Sequence, residues 1–261
     1  MKTVILCGGF GTRIRGVDDD LPKPMIPVGE RPIVWHIMNI YSQFGHNEFV
    51  LCLGYKGDAI RDFFLEYRMK TADCSILLKD GTVEIHGTSR VPDWKITLAD
   101  TGYNTMTGGR VKKIQKYVEN APFMLTYGDG LGNVDLDELL AFHHGHGKTM
   151  TVTGVRPPGR FGELDVGDNG RIVGFNEKPN TSGGLISGGF FVCNPGVFDY
   201  LPDDDQVVLE QEPMKRLAAD GELMVYEHTG FWQPMDTYRE YSLLNDVYKT
   251  GHAPWMSASD Q

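Results

Sequence analysis

The chain has 261 residues and a formal net charge of -10 at pH 7. This length is enough for a large α/β domain with a core of its own, and the acidic balance argues against nucleic acid or an anionic membrane as the main partner. The sequence has neither a signal-peptide pattern nor an apolar run near the roughly 20 residues that span a bilayer, so we expect a cytoplasmic protein.

Strands and helices alternate through the first part of the chain. Lys2–Leu6 is a nearly unbroken apolar run, which is typical of a buried parallel strand. Pro32 opens a helix that Gly45 ends, residues 49–53 form a second buried strand, and residues 58–67 form a second helix. This alternation predicts an open sheet whose ligand crevice lies beyond the carboxyl ends of the parallel strands.

The later part of the chain is richer in strands. Segments 75–78 and 82–85 flank Asp80-Gly81 and are predicted to form a hairpin. Further strands are predicted at 123–127, 149–155, 163–166, 171–175 and 189–193, and further helices at 135–143, 211–219 and 237–248. The tail after His252 is expected to be loose. The predicted fold is α/β: a Rossmann-like open sheet, mixed but mostly parallel, flanked by helices, with a β-rich C-terminal portion, in one domain over residues 1–261.

The glycine-rich turn after the first strand reads Gly8-Gly9-Phe10-Gly11-Thr12-Arg13, and Lys23 follows in Pro22-Lys23-Pro24. Such a turn lets backbone N–H groups face an anion closely, and two cations accompany it, which predicts a site for nucleotide phosphates. A dinucleotide fingerprint would need a third glycine where Ile14 stands, and the P-loop pattern is absent. A bare structural turn would leave Arg13 and Lys23 without a role.

Two aspartates are candidate metal ligands. Asp129 lies at a strand end between two glycines, where α/β sites form. Asp236 precedes the last helix, where an aspartate can equally be the N-cap. Mg²⁺ takes one or two carboxylates plus phosphate oxygens, so this pair would suffice. Glu177 and Lys178 follow another strand, and from the residues alone they are interpreted as a solvated ion pair.

The cysteines and histidines give weaker signals. Cysteines 7, 52, 74 and 193 contain no Cys-x-x-Cys pair, so we expect them to be reduced and mostly packed. Histidines 143, 144 and 146 could form a metal cluster, but the end of a helix favours histidine through its dipole alone, and we prefer that interpretation.

The glycine turn together with Pro22-Lys23-Pro24 resembles the signature of the sugar-phosphate nucleotidylyltransferases. Within that superfamily, a series of blocks in order resembles the glucose-1-phosphate cytidylyltransferases, from Met1 to about Trp255. These blocks are residues 35–38, 54–57, 100–102, 106–110, 127–130, 157–162, 177–179, 188–191 and 230–237. Thymidylyl and uridylyl relatives carry Pro-x-Gly-Leu-Ala where this chain has residues 107–110, which favours cytosine.

The resemblance implies CTP and glucose 1-phosphate as substrates, Mg²⁺ as cofactor, and a homo-oligomer, with a hexamer suggested. It implies a nucleotide-binding half at 1–130 and a half for sugar phosphate and oligomerisation at 131–255. By motif, the implied nucleotide contacts are Leu6, Gly8, Gly9, Gly11, Thr12, Arg13, Lys23, Thr107, Gly108, Gly109, Arg110, Tyr127 and Gly128. Those implied for the sugar phosphate are Glu177, Lys178, Ser187, Gly188 and Trp232. Arg13, Lys23 and Lys178 would be catalytic, and Asp129 and Asp236 would hold the metal.

One block departs from the family pattern. Relatives have asparagine where this chain has Ser187, and a hydroxyl offers fewer hydrogen bonds than an amide. A cytidylyltransferase for a different sugar 1-phosphate is therefore one alternative. A non-catalytic, nucleotide-sensing subunit is another, although the presence of both aspartates, Arg13 and Lys178 argues against it.

Overall fold

The computed structural model describes residues 1–10, 20–87, 91–157 and 184–257, and the backbone of two further strands at 163–166 and 172–176. The helices are α1 Ile33–Gln43, α2 Gly57–Leu65, α3 Tyr67–Thr71, α4 Thr107–Lys113, α5 Gln115–Val118, α6 Leu136–His146, α7 Glu212–Ala219 and α8 Tyr238–Lys249. Two 3-10 helices span Lys23–Met25 and Pro195–Tyr200. Within the described ranges, no helix is both long enough and apolar enough to cross a membrane.

The first eight strands are β1 Lys2–Leu6, β2 Pro27–Val28, β3 Arg31–Pro32, β4 Glu48–Leu53, β5 Asp73–Leu77, β6 Thr82–His86, β7 Lys95–Asp100 and β8 Phe123–Tyr127. The others are β9 Gly130–Gly132, β10 Met150–Val155, β11 Glu163–Val166, β12 Ile172–Asn176, β13 Ile186–Ser187, β14 Phe191–Cys193, β15 Leu223–His228 and β16 Trp232–Pro234.

The central sheet has eight strands, in the order β13-β10-β14-β8-β1-β4-β7, with β15 also paired to β10. Strands β8, β1, β4 and β7 are parallel neighbours, whereas β14 runs antiparallel to both β8 and β10. The sheet is therefore mixed and mostly parallel, and the predicted fold class is confirmed. Because the four parallel strands run the same way, their carboxyl ends meet at one edge of the sheet.

Apolar side chains pack on both faces of this sheet. On β1, Ile5 faces the cluster that contains α1, while Val4 and Leu6 face the cluster that contains Val111 of α4. Successive side chains of a strand point to opposite faces, so a strand covered on both sides must be apolar throughout. This explains the continuous apolar run that begins the chain.

The C-terminal segment contradicts the expectation of a loose tail after His252. Ala253 and Trp255 are buried, with Trp255 only 2% exposed. The Trp255 ring lies 5.4 Å from that of Phe231, and its indole N–H lies 3.4 Å from Nδ1 of His36 on α1. The expectation was wrong because a tryptophan carries enough apolar area to anchor a short terminal segment.

Candidate active site

A cavity of about 260 Å³ lies at the carboxyl edge of the parallel strands. Its walls come from the segment after β1, the 3-10 helix that contains Lys23, the start of α4 and the end of β8. The lining residues are Leu6, Cys7, Gly8, Gly9, Phe10, Lys23, Pro24, Asn104, Thr105, Met106, Thr107, Arg110, Tyr127, Gly128 and Asp129. This is the crevice position that the strand pattern predicts.

Most of the implied nucleotide contacts that the structure describes gather here. Leu6, Gly8, Gly9, Lys23, Thr107, Arg110, Tyr127 and Gly128 all line the cavity, as does the proposed metal ligand Asp129. Gly11, Thr12, Arg13, Glu177 and Lys178 lie outside the described residues, so their positions remain predictions. Gly108 and Gly109 lie on α4 without lining the cavity.

Lys23 joins the two candidate metal ligands. Its ammonium donates to Oδ2 of Asp129 at 2.7 Å and also to Oδ1 of Asp236. The Lys23 side chain is only 10% exposed. Burial of the ammonium lowers the pKa of Lys23, but the carboxylates of Asp129 and Asp236 outweigh it, and the pKa is raised overall.

Strand pairing brings these two carboxylates together across a long stretch of sequence. Asp129 directly precedes β9 and Asp236 closely follows β16, and the antiparallel pair β9–β16 sets Gly130 opposite Pro234. The backbone N–H of Met235 also donates to the carbonyl of Asp129 at 2.8 Å. The β9–β16 pair, which we call the β9–β16 ribbon, therefore brings together two aspartates that are far apart in sequence.

The N-cap of α8 is Thr237, not Asp236. The Thr237 hydroxyl accepts from the backbone N–H of Glu240, and the Glu240 carboxylate accepts from that of Thr237, which completes a capping box. Of the two roles open to Asp236 in the sequence, the cap is therefore excluded. Its carboxylate instead faces Lys23.

The donor set at this end of the cavity suits a hard divalent cation. Two carboxylate oxygens lie within bonding reach of one positively charged nitrogen, so they could also share one metal ion. Across the part of the chain that the structure describes, no group of three or more His, Cys, Asp or Glu side chains could hold a metal. An ion held by this pair would complete its coordination with water and substrate oxygens, as Mg²⁺ usually does.

Arg110 forms a buried hub beneath the cavity. It is 3% exposed, and its guanidinium donates to the carbonyls of Leu53, Gly102 and Gly8 at 3.0, 2.8 and 2.7 Å. It also donates to the Thr101 hydroxyl at 2.7 Å. One side chain therefore ties together the chain segments that leave β1, β4 and β7.

Glycines make room for this hub. A Cβ at Gly8 would lie 2.3 Å from Nη1 of Arg110, and a Cβ at Gly54 would lie 2.5 Å from the same atom. Neither contact is sterically possible, so both positions require glycine for close approach of the guanidinium. The glycine of the opening turn thus serves packing as well as the phosphate contact implied by the motif.

A segment that we call the strap, residues 204–210, crosses over α4. A Cβ at Gly108 would lie 2.6 Å from Cγ1 of Val207, and one at Gly109 would lie 2.9 Å from the carbonyl of Asp204. The Gly109 N–H donates to the Val207 carbonyl at 3.1 Å. Close packing of the strap therefore accounts for both glycines.

Glu210, at the end of the strap, bridges two walls of the cavity. Its carboxylate accepts from the hydroxyls of Tyr127 at 2.5 Å and Thr107 at 2.7 Å. Burial, reinforced by the Glu210 charge, raises the pKa of Tyr127. Glu210 could not be predicted from the sequence, because a lone glutamate in a loop carries no pattern.

Three residues implied for the sugar phosphate lie beside Tyr127. Trp232 donates its indole N–H to the carbonyl of Gly188 at 2.8 Å, and Ser187 directly precedes Gly188 on the chain. A Cβ at Gly188 would lie 2.7 Å from Cγ1 of Val155, so this position requires glycine. Ser187, Gly188 and Trp232 are thus brought together next to the cavity.

An exposed aromatic cluster at the cavity mouth was also missed. The rings of Phe10, Tyr55 and Tyr103 lie 5.1, 5.3 and 5.6 Å apart, and Phe10 and Tyr103 are 55% and 57% exposed. Their separation in sequence gives no periodic signal. Only the meeting of three strand ends shows that they are neighbours.

The histidine group on α6 serves the fold. Nδ1 of His143 and Nε2 of His146 each lie 2.8 Å from the hydroxyl of Thr151 on β10. His144 is exposed. Three of the four cysteines, Cys7, Cys52 and Cys193, are buried, as expected, and Cys74 is exposed.

Comparison with known proteins identifies the family of this chain. A family model described as nucleotidyl transferase matches residues 2–244. The chain belongs to this family. It is 46% identical over 258 residues to the glucose-1-phosphate cytidylyltransferase of Salmonella typhi, covering 98% of this chain and 99% of that protein. It is 47% identical over 255 residues to a protein of Bacillus subtilis (strain 168) named probable glucose-1-phosphate cytidylyltransferase, with 98% and 99% coverage.

A solved structure supports the fold. A UDP-glucose pyrophosphorylase complexed with UDP-glucose superposes with a TM-score of 0.67 at 14% identity, over 96% of this chain and 98% of that one. The resemblance to the glucose-1-phosphate cytidylyltransferases is confirmed over nearly the whole chain by the Salmonella typhi and Bacillus subtilis proteins.

Proposed function

We propose that this enzyme transfers the cytidylyl group of CTP to α-D-glucose 1-phosphate, giving CDP-glucose and pyrophosphate. The observation that carries the proposal is the cavity at the strand ends, which joins a glycine turn to Lys23, Asp129 and Asp236. The end-to-end similarity to glucose-1-phosphate cytidylyltransferases supplies the identity of the two substrates.

The reaction is an in-line displacement at phosphorus. An oxygen of the sugar phosphate attacks the α-phosphorus of CTP, the bond to the bridging α,β-oxygen breaks, and pyrophosphate leaves with that electron pair. The attacking phosphate is already anionic, so the reaction needs no serine or cysteine nucleophile. What opposes it is repulsion, on the order of 4 kcal/mol for each pair of like charges about 4 Å apart at an effective dielectric of about 20.

The chain offsets this repulsion with cations and N–H groups. Lys23 lies at the cavity, and the resemblance adds Arg13 and Lys178 as further cations against the phosphates. A Mg²⁺ ion held by Asp129 and Asp236 would neutralise phosphate charge and polarise the α-phosphoryl group. The chain's own residues align the two phosphates and exclude water between them.

The two substrates are proposed to occupy neighbouring parts of the site. The described residues assigned to the nucleotide, among them Leu6, Thr107 and Tyr127, line the cavity. Ser187, Gly188 and Trp232, assigned to the sugar phosphate, lie next to it. The assignment of Gly11, Thr12, Glu177 and Lys178, and of the halves 1–130 and 131–255, rests on the resemblance alone.

A second candidate is a cytidylyltransferase for a different sugar 1-phosphate. Ser187 stands where the family pattern has asparagine, and a hydroxyl offers fewer hydrogen bonds to a sugar than an amide does. Pyrophosphate release measured with a panel of sugar 1-phosphates separates the two candidates.

The decisive assay compares CTP, UTP and dTTP, each with glucose 1-phosphate, by pyrophosphate release. We expect a preference for CTP of about 100-fold or more in kcat/KM, because a site that bonds the base edges rejects a base with the opposite donors and acceptors. Equal rates would refute the cytidylyl assignment. No release with any sugar phosphate would indicate a nucleotide-sensing subunit instead.

We further propose a homo-oligomer, with a hexamer as the suggested form. The hairpin of β5 and β6 supports a subunit contact, because the pairs Cys74/Ile85 and Ile76/Val83 give it one apolar face on which Ile76 is 57% exposed. An isolated two-stranded hairpin is marginal in water, so cover from a second copy would stabilise it. Sedimentation velocity should show an assembly that Ile76→Asp weakens, whereas a monomeric wild type would contradict the proposal.

A further inference from the structure

We propose that Lys23 competes with the divalent metal ion for Asp129 and Asp236, and so makes metal binding depend on the nucleotide. This inference rests on the proposed function, because it takes the two aspartates as the metal ligands and the cavity as the triphosphate site. It assigns to Lys23 a second task besides contacting phosphate.

The contacts of Lys23 make the two cations exclusive. Its ammonium is bonded to carboxylate oxygens of both aspartates, at 2.7 Å in the case of Asp129. A metal ion that bound the same two carboxylates would lie beside that ammonium, and like charges at such separations repel strongly. The ammonium must therefore leave before the metal can use both ligands.

The side chain can leave without a change in the backbone. Lys23 begins a 3-10 helix between two prolines, and the Ile26 N–H closes the turn on the Lys23 carbonyl at 3.1 Å. Four flexible methylene groups connect this fixed backbone to the ammonium. Movement of the side chain alone therefore exchanges its partners.

A second partner lies within the same cavity. Lys23 lines the cavity together with Gly8 and Gly9 of the proposed phosphate turn. A triphosphate there offers anionic oxygens to the ammonium at the moment when the aspartates accept the metal. The triphosphate then balances the charge of the Lys23 ammonium, and the two aspartates balance the charge of the metal ion.

This exchange couples the two ligands. A metal ion alone must displace the ammonium and leave it without its carboxylate partners, so it binds weakly. A metal ion that arrives with a triphosphate brings the replacement partner for Lys23, so each ligand strengthens the binding of the other. The site thereby takes up metal and nucleotide together and disfavours a metal-only complex.

The test is a titration of the full chain with Mn²⁺ in the absence of nucleotide, followed by electron paramagnetic resonance of the unbound ion. We expect Lys23→Met to bind Mn²⁺ roughly 10- to 100-fold more tightly than wild type, the size of a typical coupling between sites. Lys95→Met is the matched control, since it removes one exposed lysine, paired to Glu48 at 3.3 Å, and should bind as wild type does. Adding Asp129→Asn to Lys23→Met should abolish the gain.

Two results would overturn the inference. They differ in whether the assignment of the metal site survives. Equal Mn²⁺ affinity in wild type and Lys23→Met, lost in Asp129→Asn, would refute competition by the lysine and leave the metal site in place. No Asp129-dependent binding in either protein would refute the metal assignment as well. Circular dichroism checks the fold, and Lys23→Gln, which also removes the charge, replaces Lys23→Met if the latter does not fold.

Discussion

Arg110 shows how one side chain can set the shape of a binding cavity. It contacts oxygens from three strand ends, and the glycines at 8 and 54 exist in part to admit its guanidinium. Burial of the guanidinium lowers the pKa of Arg110. Among the described residues, carbonyl oxygens and a hydroxyl accept its hydrogen bonds.

Arg110→Met should therefore damage stability as well as activity. Each buried oxygen left without a donor costs about 1–3 kcal/mol, so the free energy of unfolding should fall by about 3 kcal/mol or more in urea titrations. Arg216→Met is the control, because Arg216 lies 5.2 Å over the Tyr200 ring, a contact of about 0.5–1 kcal/mol at an exposed site. An equal loss of unfolding free energy in the two variants would argue against a stabilising role for the Arg110 hydrogen bonds.

Asp129→Asn should remove metal-dependent turnover and preserve the fold. An amide lacks the anionic charge that a divalent ion needs, and even residues that only orient a metal ligand change activity by about 10- to 100-fold. We expect a loss of kcat of about 100-fold or more with an unchanged melting temperature within a few degrees. Asp246→Asn, which alters an exposed pair with Lys249, is the control. Full activity of Asp129→Asn would refute the metal assignment.

His36 makes stability depend on pH. Its Nε2–H donates to the Val28 carbonyl at 2.8 Å and its Nδ1 faces the indole N–H of Trp255, so a second proton has no acceptor. Burial lowers the pKa of His36 to about 4 from 6.5. Stability from neutral His36 is therefore complete above pH 6.5 and is lost as the pH falls from 6.5 towards 4, since the unfolded chain takes up the proton first.

We expect the free energy of unfolding to fall by about 1.4 kcal/mol per pH unit between pH 6 and 4.5 through this group. His36→Gln should flatten that slope in urea titrations at a series of pH values. His144→Gln, at an exposed position, should retain it. A His36→Gln slope equal to that of wild type would contradict the assignment.

At the scale of elements, the strap and α4 act as one unit. The Met106 N–H donates to the Asp205 carbonyl at 2.7 Å, and the Leu209 N–H donates to the Thr107 hydroxyl at 2.9 Å. These bonds hold the start of α4 at the cavity. Any change that lifts the strap should therefore alter nucleotide binding.

Gly109→Ala tests this unit. Its Cβ would lie 2.8 Å from Cγ2 of Thr105 and 2.9 Å from the Asp204 carbonyl, and such overpacking costs about 1–3 kcal/mol. We expect lower stability and a higher KM for CTP. Gly145→Ala is the matched control on α6: nothing lies within 4 Å of its Cβ, so it should stabilise by about 0.5–1 kcal/mol. An unchanged KM for CTP in Gly109→Ala would show that the strap does not affect nucleotide binding.

The elements that the sequence predicts are those with strong local patterns. Strands β1, β4 and β8 are apolar runs, and α1 and α8 have clear starts. Strands β7 and β15 were missed; both lie at the margins of the sheet, and most of their residues are only partly buried or exposed. Helix α4 was missed because two consecutive glycines disfavour helix, and contacts with the strap and burial of Val111 stabilise it there.

In the site too, the residues that could be predicted are those that belong to a local motif. The glycine turn, Lys23 and the two aspartates are predicted by motif and chemistry, and the structure places Lys23 between the aspartates. Glu210 and the aromatic cluster depend on contacts between segments far apart in sequence, which no local pattern encodes. Arg110 was assigned to the nucleotide pocket, but its packing role required the structure.

At the scale of the whole molecule, the architecture concentrates chemistry at one edge of an acidic protein. Four parallel strands end there, and the β9–β16 ribbon brings the C-terminal region back to the same edge. Lys23 and Arg110 line the cavity at this edge together with Asp129, in a chain whose net charge is -10.

The most direct test of this arrangement is a crystal structure of the protein with CTP and Mg²⁺. We predict the triphosphate against the turn at residues 8–13 and Lys23, with the metal ion on Asp129 and Asp236. A triphosphate bound elsewhere, for instance in the surface depression lined by Lys112, Lys113 and Lys116, would contradict the proposed site and the mechanism built on it.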